Sequence, residues 1–187
     1  MLIVRFLTSC YKDYPLSQGR MTLIKAALVN ADILGFLCLD FGIEEETVSI
    51  VQHPSGTFEE KMGAKKMNLW KYMRHSNRAI AEAQTACHAR YVSLHSDITT
   101  LLRKGQTYPW VQLTQLNVDK FFSDIIESLI GAIFIDSAGS LPACEKFLER
   151  IGLMPYLRRV VSEPVNLKHP RAILEQLTGS ESIGYNM

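Results

Sequence analysis

The sequence predicts an almost entirely α-helical chain, a helical bundle that carries a helical insertion. Apolar side chains recur at helical spacings along most of the 187 residues, and capping residues, glycines and prolines separate these periodic stretches. Only residues 48–51 have the pattern of a strand. With 47% hydrophobic and 21% charged residues, the composition excludes a disordered or low-complexity protein. No apolar run reaches the roughly 20 residues that a membrane helix needs, so the sequence predicts no membrane span.

The first third of the chain predicts three helices followed by one strand. A buried helix opens the sequence, Ser17 can cap the second helix, and Gly42 is a typical stop signal for the third. The strand ends at the turn sequence His53-Pro54-Ser55-Gly56. The predicted ranges are residues 2–12, 17–29 and 30–41 for the helices, and 44–57 for the segment that holds the strand.

The rest of the chain predicts helices only. Gly105, Pro109 and Pro164 are among the signals that separate them. Residues 58–117 are interpreted as a basic helical insertion and residues 164–168 as a linker. The predicted helices span residues 60–75, 77–104, 119–136, 140–151 and 154–162, and another begins near residue 169.

The net charge of +1 hides an uneven distribution. Residues 40–60 hold six acidic and no basic residues, whereas residues 61–104 hold nine basic and two acidic residues. Trp70, Tyr72 and Tyr91 lie within the basic segment, and basic residues interleaved with aromatic ones are typical of surfaces that bind the phosphate backbone. A solvated helical insertion with ordinary surface lysines explains the same pattern, and the sequence leaves both interpretations open.

The four cysteines are widely separated, and no pair has the spacing of a disulfide scaffold or a zinc site. We therefore expect reduced, packed cysteines in an intracellular protein of the cytoplasm or the nucleus. His88 and His95 lie seven residues apart on a predicted helix. This spacing allows a shared face, but we favour a solvated helix surface over a metal site.

The helix over residues 119–136 carries the chemically informative pattern. Large apolar residues surround most of its circumference, so we expect it to be nearly all buried. Three charged residues, Lys120, Asp124 and Glu127, nevertheless fall on one stripe, which Gly131 continues without a side chain. Charges within a buried helix are costly unless they are paired or bind a metal, and two neighbouring carboxylates suit a hard divalent cation. The alternative is an exposed Lys120–Asp124 pair, worth roughly 0.3–0.5 kcal/mol.

Two sequence blocks resemble those of a known family. Residues 124–132, Asp-Ile-Ile-Glu-Ser-Leu-Ile-Gly-Ala, resemble the D-x-x-E-[SA]-L-x-G-A signature of ribonuclease III domains. Residues 19–30, which end in Ala-Leu-Val-Asn, resemble a second helix of that family. Lys120 and Asn30 match a lysine and an asparagine of Dicer-type enzymes. The resemblance covers residues 1–162, and the sequence is most similar to the second, C-terminal ribonuclease III domain of fungal Dicer-like proteins.

This resemblance implies an endoribonuclease that hydrolyses double-stranded RNA. Asp124 and Glu127 would be ligands of Mg²⁺ or Mn²⁺. Lys120 would stabilise the phosphate or the leaving group, and Asn30 would assist near the metal. The duplex would be recognised by its shape, and the domain would pair with a second ribonuclease III domain, within a full Dicer or in a homodimer. The implied role is small-RNA production for RNA silencing and antiviral defence.

One departure from the family pattern lies at the start of the chain. The family's first signature, of the type E-x-L-E-[FW]-L-G-D-A, supplies two further carboxylates and would fall upstream of Met1. We therefore expect an N-terminally truncated domain with little or no cleavage activity as it stands. The alternative function is a non-catalytic ribonuclease III-like module for dimerisation or for binding double-stranded RNA. Residues 163–187 are expected to form a linker and either the start of a double-stranded-RNA-binding domain or a C-terminal tail.

Overall fold

The computed structural model describes residues 16–54 and 56–178. The helix predicted over residues 2–12 lies outside this part. Within it, the predicted all-α bundle is confirmed, with a two-stranded antiparallel hairpin added to it. In chain order the elements are α1 (Gln18–Leu28), α2 (Ala31–Asp40), β1 (Gly42–Gln52), β2 (Phe58–Asn68), a 3-10 helix (Leu69–Tyr72), α3 (Arg78–Lys104), α4 (Trp110–Leu116), α5 (Lys120–Asp136), α6 (Leu141–Arg150), α7 (Leu153–Ser162) and α8 (Pro170–Leu177).

Helix α2 forms the centre of the fold. Seven consecutive residues, from Ile33 to Leu39, are buried, and α1, α3, α4 and α5 pack around them. A helix that is apolar on every side belongs in an interior, which explains its position. In the described ranges no single helix is long and apolar enough to cross a membrane; the pair α1 and α2, bent by 47°, meets the criteria of length and composition only when taken together.

Gly35 allows α2 to approach the segment that leads into α5. A Cβ atom at this position would lie 2.2 Å from Cγ1 of Val118, two residues before α5 begins. Because no side chain fits at that distance, the close approach requires glycine. The contact fixes the distance between the central helix and the start of α5.

The prediction of a helix over residues 60–75 is wrong. Residues 58–68 form strand β2, which pairs with β1 in a register that runs from Gly42 opposite Asn68 to Gln52 opposite Phe58. Locally this segment favours a helix because it is rich in Glu, Lys, Met and Ala. Pairing with β1 overrides that preference, and the register sets Glu44 of β1 opposite Lys66 of β2. The expected helical insertion therefore begins as a hairpin and is helical only from α3 onwards.

The base of the hairpin is tied to the bundle. Leu69 N donates to Phe41 O at 2.8 Å, and Asn68 Nδ2 donates to Leu39 O at 2.8 Å. The far half is exposed, with Ile50 at 69% and Phe58 at 70%. The hairpin is thus an arm held at one end.

Arginine side chains close the C-terminal ends of two helices. Arg159 donates to Leu102 O at 2.8 Å and to Gly105 O at 2.6 Å, where α3 ends. Arg20 donates to two carbonyls at the end of α7 and beyond it, at 2.9 and 2.7 Å. The last carbonyls of a helix have no partner within the helix, so a buried cation satisfies them and complements the helix dipole.

Residues 164–168, predicted to be a linker, are packed against the bundle. Val165 and Leu167 are each 1% exposed, and Asn166 bonds to the chain on both sides of Thr107: its N donates to Gln106 O and its O accepts from Tyr108 N. Alternating apolar residues allow this extended segment to bury one face. Helix α8 then begins at Pro170, close to the predicted residue.

Replacing Arg159 tests the capping of α3. We expect Arg159→Ala to lower the free energy of unfolding by about 2–3 kcal/mol, because partly buried carbonyls lose a charged donor. Arg158→Ala is the matched control: it removes only an exposed pair with Glu149 and should cost less than about 1 kcal/mol. Urea unfolding followed by circular dichroism measures both, and equal losses would contradict the capping role.

Replacing Gly35 tests the close approach at Val118. Gly35→Ala should cost about 1–3 kcal/mol of unfolding free energy through overpacking. Adding Val118→Ala should recover part of that loss, because Cγ1 of Val118 is the nearest atom. Gly131→Ala, at a helical glycine with open space around it, should be neutral or stabilising. Additive effects in the double-mutant cycle would argue against direct contact.

Candidate active site

Helix α5 presents its charged stripe to solvent. Lys120 Nζ donates to Asp124 Oδ1 at 2.5 Å across one helical turn. The Lys120 side chain is 79% exposed and that of Asp124 is 45% exposed. The exposed pair considered from the sequence is therefore present, and the Asp124 carboxylate stays accessible to a ligand.

Glu127 lies one turn further along the same stripe. It is exposed and has no hydrogen bond or ion pair with any residue in the described ranges. The hydrogen bond and charge of Asp124, together with the charge of Glu127, raise the pKa of Lys120 above its ordinary value. The three side chains thus form one electrostatic unit in which the lysine is protonated and one carboxylate remains free.

The expectation that this helix is nearly all buried is wrong. Its buried residues are Phe122, Ser123 and Ile126, all in the first half, and Ile135 in the second half is 79% exposed. Helices α2 and α6 pack against α5, but within the described part of the chain its C-terminal half keeps a large apolar surface in contact with water. An apolar circumference predicts burial without specifying what covers it.

Asn30 forms its hydrogen bonds with the residues around the turn between α1 and α2 and with Tyr108. Its Oδ1 caps α2, and its Nδ2 donates to the carbonyls of Ala26 and Ala27 at 3.0 Å each and to Tyr108 Oη at 3.3 Å. Among the described residues no hydrogen bond joins it to the charged stripe. Its role near the metal remains a prediction, and the observed bonds give it a structural role in joining α1 to α2.

The start of α5 is held by a residue that sequence reasoning missed. Arg90 of α3 donates to Leu116 O at 2.8 Å and to Asn117 O at 2.9 Å. Asn117 has the left-handed conformation, with φ of 46°. Together with the Gly35–Val118 contact, these bonds fix the turn directly before Lys120. No local sequence signal marks Arg90, because its partners are carbonyl groups 26 and 27 residues away.

The aromatic residues of the basic segment are engaged within the protein. Trp70 packs against the core, the Tyr72 hydroxyl donates to Glu45 at 2.5 Å, and the Tyr91 hydroxyl donates to Asp40 at 2.8 Å. The packing of Trp70 leaves its ring unavailable for stacking on bases, whereas Tyr72 is 37% exposed. Both interpretations of the segment therefore stay open.

The two histidines of α3 lie on a partly exposed face. His88 lies with its ring 5.3 Å from that of Trp70, and His95 Nε2 is 2.9 Å from Asp40 Oδ1. The His95 side chain is 42% exposed and His88 is half-buried, so the face is solvated only in part and both rings have protein partners. They pack in an aromatic row with Tyr91 between them, an arrangement that links α3 to α2.

The two carboxylates of the stripe fit a magnesium ion. Mg²⁺ is commonly held by one or two carboxylates, and water or substrate phosphates complete its octahedron. Asp124 and Glu127 supply that number on an accessible surface. No group of three His, Cys, Asp or Glu side chains suited to a metal is found in the part of the chain that the structure describes.

Replacing the carboxylates should change the ionisation of Lys120. Asp124→Asn removes both the hydrogen bond and the main negative charge, so the pKa of Lys120 should fall towards its ordinary value of 10.5. Glu127→Gln should lower it less, because Glu127 acts only by its charge at longer range. An NMR titration of the lysine side chain measures both shifts. An unchanged pKa in Asp124→Asn would show that the pair does not form in solution.

Comparison with known proteins identifies the domain. Residues 1–138 match the family model described as "Ribonuclease III domain". Dicer-like protein 2 of Aspergillus oryzae is 44% identical over 168 residues, which is 90% of this chain and 12% of that protein. Dicer-like protein 2 of Coccidioides immitis is 47% identical over 166 residues, covering 88% of this chain and 12% of the relative.

A third relative, Dicer-like protein 2-1 of Aspergillus niger, is 44% identical over 181 residues, 97% of this chain and 13% of its own length. No solved structure gives a significant match. The chain thus spans about one eighth of the length of these curated relatives. On the strength of the matching domain and of identities between 44% and 47% over most of its length, this chain belongs to the ribonuclease III family.

Proposed function

We propose that this chain is a Dicer-like endoribonuclease domain, which hydrolyses double-stranded RNA for small-RNA production in RNA silencing and antiviral defence. The observation that carries the proposal is the accessible stripe of Lys120, Asp124 and Glu127 on α5, within a domain of this family. The relatives' name, Dicer-like protein 2, supports the assignment to RNA silencing.

Enzymes of the ribonuclease III family generally depend on a divalent metal. For this chain we propose Mg²⁺, or Mn²⁺ in its place, held by Asp124 and Glu127. Such an ion activates water and neutralises charge that develops on the scissile phosphate. Glu127 has no protein partner in the described ranges, so it can bind a metal without first breaking a hydrogen bond or an ion pair.

Lys120 contributes the positive charge of the proposed site. Like any lysine whose pKa is not lowered, it is protonated at neutral pH, so it can stabilise the phosphate or the leaving oxygen. Asp124 is bonded to Lys120 and would also hold the metal, so its carboxylate would be shared between the two cations. Asn30 stays in the proposal as a residue near the metal, although its observed bonds support only its structural role.

Ribonuclease III domains act on double-stranded RNA and generally pair with a second such domain. We propose both partners for this chain, the second domain lying in the same polypeptide of a full Dicer or in a second copy. The apolar C-terminal half of α5, with Ile135 79% and Phe134 37% exposed, supports pairing of this kind. An intracellular location, in cytoplasm or nucleus, is supported by Cys38, Cys87 and Cys144, which are buried free thiols.

The alternative function is a non-catalytic module that pairs with another domain or binds RNA without cutting it. The exposed apolar half of α5 is consistent with this function as well, because pairing does not require chemistry. The two functions differ in one respect only, which is whether the carboxylates of the stripe contribute to cleavage.

Cleavage of a long, end-labelled RNA duplex in Mg²⁺ or Mn²⁺, by this domain within a full Dicer-like protein, distinguishes them. For an active domain, Glu127→Gln should reduce the cleavage rate by roughly 100-fold or more, with unchanged stability and RNA binding. Glu82→Gln is the matched control, since Glu82 is an exposed glutamate paired with Arg78 on α3. RNA binding without cleavage in either metal would favour the alternative. Cleavage that Glu127→Gln leaves intact would remove Glu127 from the site.

A further inference from the structure

A cavity of about 430 Å³ lies between the C-terminal parts of α2 and α3 and the N-terminal part of α7. Its walls are mainly apolar, formed by Ile33, Phe36, Leu37, Leu102, Ile151 and Leu153. The charged stripe of α5 contributes no residue to these walls. Sites for small molecules typically occupy roughly 300–1,000 Å³ and combine an apolar lining with a few polar groups, and this cavity has that character.

Buried hydroxyl groups without partners are concentrated at this cavity. In the described residues three buried side-chain polar atoms have no hydrogen-bond partner, namely Trp70 Nε1, Thr99 Oγ1 and Tyr156 Oη. Two of the three belong to wall residues, Thr99 and Tyr156. Tyr156 is only 6% exposed, and burial raises the pKa of its hydroxyl to about 12, so that it is a protonated donor. Buried polar groups are rarely left unpaired, so these hydroxyls indicate a missing partner.

The charged groups of the wall favour a negatively charged partner. Arg103 is exposed and has no ion pair with any residue in the described ranges. Arg159 is already committed to carbonyls and to Glu163. Asp40 is the wall's carboxylate, and its Oδ1 is bonded to Tyr91 and His95. Among the wall residues that the structure describes, the free cation is therefore Arg103.

The N-terminus of α7 adds to this preference. The helix begins at Leu153 after Gly152, which has a φ of 88°, and no side chain caps it. Both residues line the cavity. The first N–H groups of a helix and its dipole attract negative charge, so this end of the cavity reinforces the effect of Arg103.

We propose that this cavity is a binding site for a small organic anion, with an apolar body between α2, α3 and α7 and an acidic group at Arg103. The hydroxyls of Thr99 and Tyr156 supply the remaining hydrogen bonds. The site is separate from the charged stripe of α5, and its existence does not depend on whether the chain cleaves RNA.

The proposal is tested with a matched pair of probes, 4-phenylbutyrate and its neutral amide, 4-phenylbutanamide. Both are titrated into the ¹⁵N-labelled full chain, and amide shifts are followed by NMR. We expect the acid to shift the resonances of Leu102, Arg103 and Leu153 with a Kd of about 1 mM, which is in the range of small fragments. The amide should bind at least about fivefold more weakly, because it lacks the charge-assisted bond.

The variant Arg103→Gln identifies the anion site. Because Arg103 is exposed, the variant should fold normally, and it should reduce the affinity for the acid to that of the amide. Arg78→Gln, at another exposed arginine of α3 remote from this cavity, should leave the affinity unchanged. The proposal is overturned if the acid shifts no cavity resonance, if acid and amide bind equally well, or if the amide binds more tightly through Asp40.

Discussion

Helix α2 can occupy the centre of this fold only because Gly35 has no side chain, so that Val118 packs directly against the backbone of α2. A Cβ atom there would overlap Cγ1 of Val118 at 2.2 Å, and any shift that relieved the overlap would move the start of α5. Since seven consecutive residues of α2 are buried, the helix cannot rotate to avoid the contact without exposing apolar surface. The position of the charged stripe therefore follows from the packing of α2.

Arginine side chains hold the ends of the helices in this packing. Arg159, Arg20 and Arg90 each donate to carbonyl groups at the end of a helix, those of α3, α7 and α4 respectively. The bonds of Arg159 and Arg20 join elements far apart in the sequence, whereas that of Arg90 joins the consecutive helices α3 and α4. A guanidinium group can satisfy several carbonyls at once in a fixed geometry, so these residues set where one helix ends and the next begins. The side chains of the stripe on α5 are exposed or half-exposed, but the backbone of the helix starts from a turn that Arg90 and the Gly35–Val118 contact hold in place.

The hairpin explains the uneven charge of the chain. The acidic stretch contributes β1 and the start of β2, and the first lysines of the basic segment lie in the rest of β2, so that Glu44 stands opposite Lys66. Charges that are separated along the sequence thereby become neighbours across two strands. The far half of the arm exposes apolar residues, including Ile50 and Phe58, beside charged ones such as Glu59.

The sequence by itself determined the helical class, most of the helix boundaries and the stripe of Lys120, Asp124 and Glu127, because helical period, capping residues and i, i+4, i+7 spacing are local properties of the chain. The tertiary structure alone decided the rest. It made residues 58–68 a strand through pairing with β1, it packed Val165 and Leu167 into the core, and it left the second half of α5 exposed. Each of these outcomes depends on a partner distant in the chain, and local pattern carries no information about which partner is present.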